Sequence, residues 1–288
     1  MRSTIKVARM LSGQLAACLH KPIFLLGLLL GMTFALAPTM SMLRASVEGS
    51  MQIHIFEAFI LIACNSFSCL PMMLGLILML SDAPFIHEDI AHIALRATRI
   101  QWMVTQFLYI AFICIIYFGI ILLFTMSICA SNGFSGNLWS PTLLRISKDM
   151  GFANKFNLAF SNELFLRQYA PYQALRVCFI LQTVYGFILS MIMFTFNMLF
   201  RRGSGIVIAL ALHQLGYIML RDGHMFANQY LSLMVHALPT THSYSKAVDH
   251  LPTLAQSFVV FGCFSLMLIG VCLAKAQSVD FLVSADDG

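Results

Sequence analysis

The sequence predicts an all-α polytopic membrane protein with six transmembrane helices, and three observations predict it. Of 288 residues, 59% are hydrophobic and only 10% are charged, against about 25% charged in a typical soluble domain. Mean hydropathy is +0.84. The apolar residues are gathered into six runs separated by polar or charged breaks. A soluble fold of this size cannot hide that much apolar surface, so lipid is the expected solvent. Residues 1–288 read as one transmembrane domain, and the multi-pass layout points to the cell (plasma) membrane.

Residues 1–20 carry Arg2, Lys6 and Arg9 with no acid, and apolar residues recur there at near-helical spacing. That pattern predicts a basic amphipathic helix on the inner leaflet; a frayed basic tail is the alternative. A signal-peptide reading is set aside because the next apolar run is long and no small-residue cleavage motif stands out after it.

The first span is expected over 22–43, a length that crosses the hydrocarbon core. Gly27, Gly31 and Ala35 form a small-residue face on it, which lets helix backbones approach where lipid gives no hydrophobic drive. The second span is expected over 53–80, with Glu57 near its start and Asn65 and Pro71 inside. An ionisable group at membrane depth is a functional candidate, although Glu57 also fits an interfacial position. Pro71 predicts a kink, since it removes a backbone donor and crowds the preceding turn.

Residues 81–102, SDAPFIHEDIAHIALRATRIQW, interrupt the apolar pattern with a short, charged, helix-like stretch. His87-Glu88 invites a zinc-protease reading. The next histidine, His92, is five residues away rather than four, so on a helix the two imidazoles point about 140° apart, and no metal site is expected. The third span is expected over 100–130, opened by Trp102, a residue favoured at the headgroup level. Residues 131–172 form an outer connection with short amphipathic helices.

The fourth span is expected over 173–200, closed by Arg201-Arg202, and the fifth over 203–220, with His213 and Gln214 in its middle. His213 has two readings, a proton-relay or pathway residue and a histidine hydrogen-bonded between packed helices. Residues 221–251 form a second outer connection, in which 225–238 is apolar enough to dip into the membrane edge, a geometry allowed only where protein or water satisfies the backbone. The sixth span is expected over 252–274.

Four basic residues precede the first span (Arg2, Lys6, Arg9 and Lys21), and only Arg44 follows it closely. That asymmetry places the amino terminus in the cytoplasm; with six spans the carboxyl terminus and the 81–102 stretch lie there too. The net charge of +5 is spread along the chain, so no nucleic-acid partner is indicated. The eight cysteines have no CxxC or paired spacing, which indicates neither a zinc site nor a disulfide framework and reads as small buried hydrophobes.

Asp82-Ala83-Pro84-Phe85 closing the second span, and Arg96-x-x-Arg99-x-x-Trp102 opening the third, resemble permease subunits of type-two ABC exporters. The likeness is greatest to the compact six-span members of Gram-positive bacteria, often linked to peptide or antibiotic export and self-immunity. It covers the whole chain as layout and rests on residues 81–102 as sequence. One departure stands out: many such permeases have their largest outer segment between spans five and six, whereas here 131–172 is at least as large. The resemblance implies a coupling helix within 84–99 that docks into a separate cytoplasmic ATPase, with Asp82, Pro84, Phe85, Glu88, Asp89, Arg96 and Arg99 as the docking residues. ATP and magnesium would sit on that ATPase, because this sequence has no GxxxxGK[ST] phosphate loop. It further implies a second permease copy or a homologous permease, with the Gly27, Gly31 and Ala35 face and the fifth span as candidate contacts.

As pathway candidates the spans offer Glu57, Asn65, His213 and Gln214. No catalytic set is indicated, and the chain reads as a transport subunit rather than an enzyme. Two other classes compete. An intramembrane enzyme would need paired catalytic groups at membrane depth, for which no local motif is present. A non-transporting immunity or assembly protein would bind a toxin or partner directly.

Overall fold

A computed structural model describes residues 2–81, 83, 98–158, 160, 163–200, 203–221, 231–244 and 251–276. Helix α1 (Arg2–Leu19) turns at His20-Lys21 into α2 (Pro22–Glu48). Pro22 opens α2 where its missing N–H costs nothing. Strand β1 (Ile53–His54), α3 (Glu57–Cys64) and α4 (Ser66–Met79) follow. The long α5 (Arg99–Cys129) begins at a Thr98/Gln101 capping box. Beyond it lie β2 (Gly133–Phe134) and the short helices α6 (Pro141–Lys148), α7 (Met150–Lys155) and α8 (Glu163–Gln168). Helices α9 (Pro171–Leu199), α10 (Ser204–Arg221), α11 (Leu233–Ala237) and α12 (Leu254–Ala276) complete the described elements.

Helices α2, α5, α9, α10 and α12 are each long and apolar enough to cross a membrane, and the α3–α4 pair gives a sixth if counted as one bent span. Large apolar side chains such as Leu26, Ile115, Val259 and Leu266 point outward, while Gln106, Gln182, Ser190 and His213 are buried. Apolar outside and polar inside is what a lipid solvent selects. The architecture is that of a helical membrane protein. Helix α9 is its central mast: 67% of its most apolar window is buried, against 22% for α12.

Most helix ends lie within about two residues of the expected span limits; besides the end of α2, the exception is the start of the second span, where Ile53-His54 form a strand and the helix begins at Glu57. Two expectations are corrected. The first concerns α2, which runs on through Arg44 to Glu48 rather than ending at residue 43. The second concerns the bend in the second span, which is at Asn65 and not at Pro71. There α3 and α4 meet at 93°, while α4 continues through Pro71. Asn65 has extended backbone, and its Oδ1 accepts from Phe67 N (2.8 Å) and Ser68 N (3.4 Å). A side chain that satisfies two orphan donors starts a new helix inside an apolar run.

The small-residue face of α2 is taken up within the chain. A Cβ on Gly27 would stand 2.5 Å from Gly75 O and 2.8 Å from Met79 N, so the α2 and α4 backbones touch. Gly31 lies under the ring and hydroxyl of Tyr117 from α5, and that hydroxyl donates to Met72 O of α4 at 2.6 Å. Ala35 is buried. These residues therefore join α2, α4 and α5 and are not available to a second copy.

The amino-terminal helix buries one face against the rest of the chain. Met10, Gln14 and Cys18 form a buried stripe one turn apart, and the helix packs along α5. At the α6–α8 end of the molecule, β1 and β2 pair in parallel, Ile53 with Gly133 and His54 with Phe134. Glu57 holds this layer together. It accepts from Ser140 N (2.7 Å), from His54 N (3.0 Å) and from the Ser140 hydroxyl. A buried carboxylate with three donors is a satisfied structural group. Trp139 Nε1 donates to the carbonyls of Leu166 and Tyr169, both at 2.9 Å, which binds α8 to the same layer.

Candidate functional site

Two constellations stand out: the base of the 84–97 segment, and a polar cluster around the Asn65 break.

Asp82, Pro84, Phe85, Glu88, Asp89 and Arg96 lie outside the described residues. The two ends of the segment that carries them are described. At its start, Ala83 O accepts from Asn197 Nδ2 (2.7 Å) near the end of α9. The other atom of that amide, Oδ1, accepts from Gly203 N (3.0 Å) and Gly205 N (2.8 Å), where α10 begins. One side chain thus ties α4's exit to the α9–α10 turn. The turn depends on glycine: Gly203 has φ +94°, and a Cβ on Gly205 would run into Met193 O. At the far end, Thr98 caps α5, and Arg99 Nη1 donates to Ala276 O at the end of α12 (3.4 Å). Trp102 is buried beside Phe194 of α9.

The second constellation grows from the Asn65 break. Breaking a helix leaves carbonyls without partners, and at membrane depth these must be satisfied by protein. Gln182 of α9 donates from Nε2 to Ala63 O (3.0 Å) and to Ala237 O of α11 (3.3 Å). Thr240 Oγ1 donates to Cys64 O (2.8 Å), and the Cys69 thiol donates to Gln182 Oε1 (3.5 Å). His213 is hydrogen-bonded between helices, the second of its two readings. Its Nε2–H donates to Leu70 O (3.0 Å), which leaves Nδ1 to accept from the Tyr185 hydroxyl (2.8 Å).

A histidine–serine chain extends this cluster toward α12. His242 Nδ1–H donates to Leu238 O (2.9 Å), which leaves Nε2 to accept from Ser257 Oγ (2.8 Å). Ser257 Oγ in turn accepts from His236 Nδ1–H (2.8 Å). The hydroxyl uses its donor and an acceptor site at once. Burial holds the His242 pKa down to about 4, helped by His236 and partly offset by the Pro239 and Leu238 carbonyls. The ring is therefore neutral near pH 7, as its acceptor role requires. Phe261 stacks on Tyr185 and meets His236 edge-on, joining the two histidine groups.

The pathway candidates do not converge. Glu57 belongs to the β1–β2 layer, Asn65 caps α4, His213 bridges α10 to α4 and α9, and Gln214 is exposed, about 100° around α10 from His213. Among the described residues no group of three or more His, Cys, Asp or Glu is placed to hold a metal ion. Ser257 itself is fully buried, so what this cluster offers is a set of hydrogen bonds rather than an open nucleophile. Gln182, Ser257, His236, Asn197 and Ser140 are the residues that sequence reasoning passed over. The available signal for Gln182, Asn197 and Ser257 was a polar side chain inside an apolar run.

No protein-family model, no curated protein and no solved structure matches the chain.

Proposed function

We infer that the chain is the membrane-spanning permease subunit of an ATP-driven exporter, powered by a separate ABC ATPase that binds ATP and magnesium. It acts with a second permease copy or a homologous permease, and both of its termini are cytoplasmic. The cargo is a peptide, antibiotic or other amphipathic molecule leaving the membrane or cytoplasm.

The observation that carries this reading is how the 84–97 segment is rooted. Its two ends are hydrogen-bonded to the α9–α10 turn, through Asn197, and to the end of α12, through Arg99. A push on the segment would reach α4, α5, α9, α10 and α12 together, as a handle for a motor protein requires. The resemblance of residues 81–102 to ABC permeases supports the same reading. The break at Asn65 would supply a joint for that motion, since its freed carbonyls are held by side chains from other elements rather than by the helix itself.

The test is a tagged purification from native membranes in mild detergent, with mass identification of what accompanies the chain. A stoichiometric ABC ATPase is expected, lost when Glu88, Asp89 and Arg96 are neutralised together. Recovery of the chain without an ATPase under every mild condition overturns the reading.

A further inference from the structure

The carboxyl-terminal end of α2 and the end of α7 enclose a surface groove of about 660 Å³, lined by Leu43, Arg44, Val47, Glu48, Lys155 and Phe156. That volume falls within the ~300–1,000 Å³ typical of small-ligand sites. Its walls are mostly apolar, and its charges are two cations and one anion. Lys155 is paired with Glu48 and lies over the Phe156 ring, 5.6 Å from the centroid. Arg44 is exposed, and among the described residues it has no hydrogen-bond or ion-pair partner. The groove therefore holds one uncompensated positive charge on an apolar floor.

Its position in the fold gives that charge meaning. The outward face of α2 runs at helical spacing through Leu26, Leu29, Thr33 and Leu36 toward Arg44 and Val47. Thr33 turns its hydroxyl back onto Leu29 O (2.8 Å), so the stripe offers lipid no free donor. From Leu26 to Arg44 the helix rises about 27 Å, close to the ~30 Å hydrocarbon thickness. Arg44 thus stands where the acyl region ends and headgroups begin.

We propose that this groove binds one anionic phospholipid of the surrounding bilayer. Its phosphate sits on Arg44 with Lys155 beside it, and an acyl chain lies along the nearer half of the stripe, from Leu36 toward Thr33, about one leaflet deep. A soluble phosphate would meet only an exposed guanidinium, a weak site in water, and would leave the stripe unused. A zwitterionic lipid would match the stripe but carry no net charge to meet Arg44. Only an anionic amphiphile uses both features.

The proposal goes beyond the exporter reading and does not depend on it, since its test contains no ATPase. Purified protein in neutral detergent is titrated with phosphatidylglycerol, phosphatidylcholine or glycerol 3-phosphate, and adducts are counted by native mass spectrometry. Phosphatidylglycerol is expected to bind about fivefold more tightly than phosphatidylcholine, the worth of one cation facing an anionic surface. Arg44→Gln should remove that preference, and Arg44→Lys should keep part of it. Leu36→Gln should weaken both lipids alike. Should Arg44→Gln fold poorly, Val47→Trp fills the groove from its apolar wall and should block phosphatidylglycerol equally. Equal binding of the two lipids overturns the proposal, as does a preference that survives both Arg44→Gln and Val47→Trp. Glycerol 3-phosphate that displaces phosphatidylglycerol at equal concentration overturns the lipid assignment and identifies a soluble phosphate site.

Discussion

The α2–α4 contact and the contacts among α9, α10, α11 and α12 solve one problem in opposite ways. Lipid gives helices no hydrophobic reason to associate. At α2–α4 the answer is shape: Gly27 and Gly75 bring two backbones into contact, and Gly31 makes room for Tyr117. Around the Asn65 break the answer is chemistry. Gln182, His213, Thr240, Ser257 and His236 answer carbonyls and one another across six helices. The first contact sets backbone against backbone, with no side chain that can turn aside. The second is made of bonds that can be redrawn. On the exporter reading proposed above, the first would serve as a rigid block and the second as a joint.

The sharpest way to break the comparison is at the rigid block. Gly27→Leu drives a side chain into Gly75 O and Met79 N, backbone atoms that cannot turn aside. A loss of about 3 kcal/mol is expected, read as a drop in the thermal midpoint in detergent. The joint should respond less. Gln182→Leu leaves Ala63 O and Ala237 O without this donor at a cost of about 2 kcal/mol. It should also raise proteolysis within 231–244, the stretch that carries Ala237, a readout that Gly27→Leu at matched stability would not share.

A pH titration sharpens the same contrast. His242 has its pKa lowered from 6.5 to about 4 by burial, so the unfolded chain binds the proton more readily than the folded one. Its contribution to stability is full above pH ~6.5, falls as pH drops from there toward ~4, and is flat below. Replacing it in His242→Asn should flatten that part of the stability profile; an unchanged slope would refute the assignment.

Smaller effects are expected at the α6–α8 layer. Ser140→Ala removes one of Glu57's donors but leaves the backbone Ser140 N–H in place, for about 1 kcal/mol. Lys155→Ala, at a pair whose side chains are about half exposed, should change the midpoint by less than the equivalent of ~0.5 kcal/mol. A larger loss there would mean that the pair orders the layer.

Much of this was legible from the residues. Run length, with Arg201-Arg202 as an end signal, located the long helices, because lipid imposes a length on every crossing. The small-residue face of α2 announced a close approach, but spacing on one helix cannot say which neighbour fills it; Gly75 and Tyr117 are far away in sequence. Pro71 was the stronger local breaker on paper, yet the helix broke at Asn65, because a cap that satisfies two donors outweighs one missing donor. The Ser257 chain was invisible for a different reason. Its partners lie 15 and 21 residues away, on a connection with no periodicity, and only tertiary folding brings them together. The two-residue β1–β2 pairing is too short to leave any alternation to read.

Of the eight cysteines, seven are buried and Cys263 alone is exposed, on the outward face of α12. The unaltered chain therefore carries a single address for a thiol-reactive fluorophore or spin label. A membrane-permeant maleimide should mark that position without the usual removal of competing thiols. The last helix, least enclosed of all the crossings, can then report its own displacement.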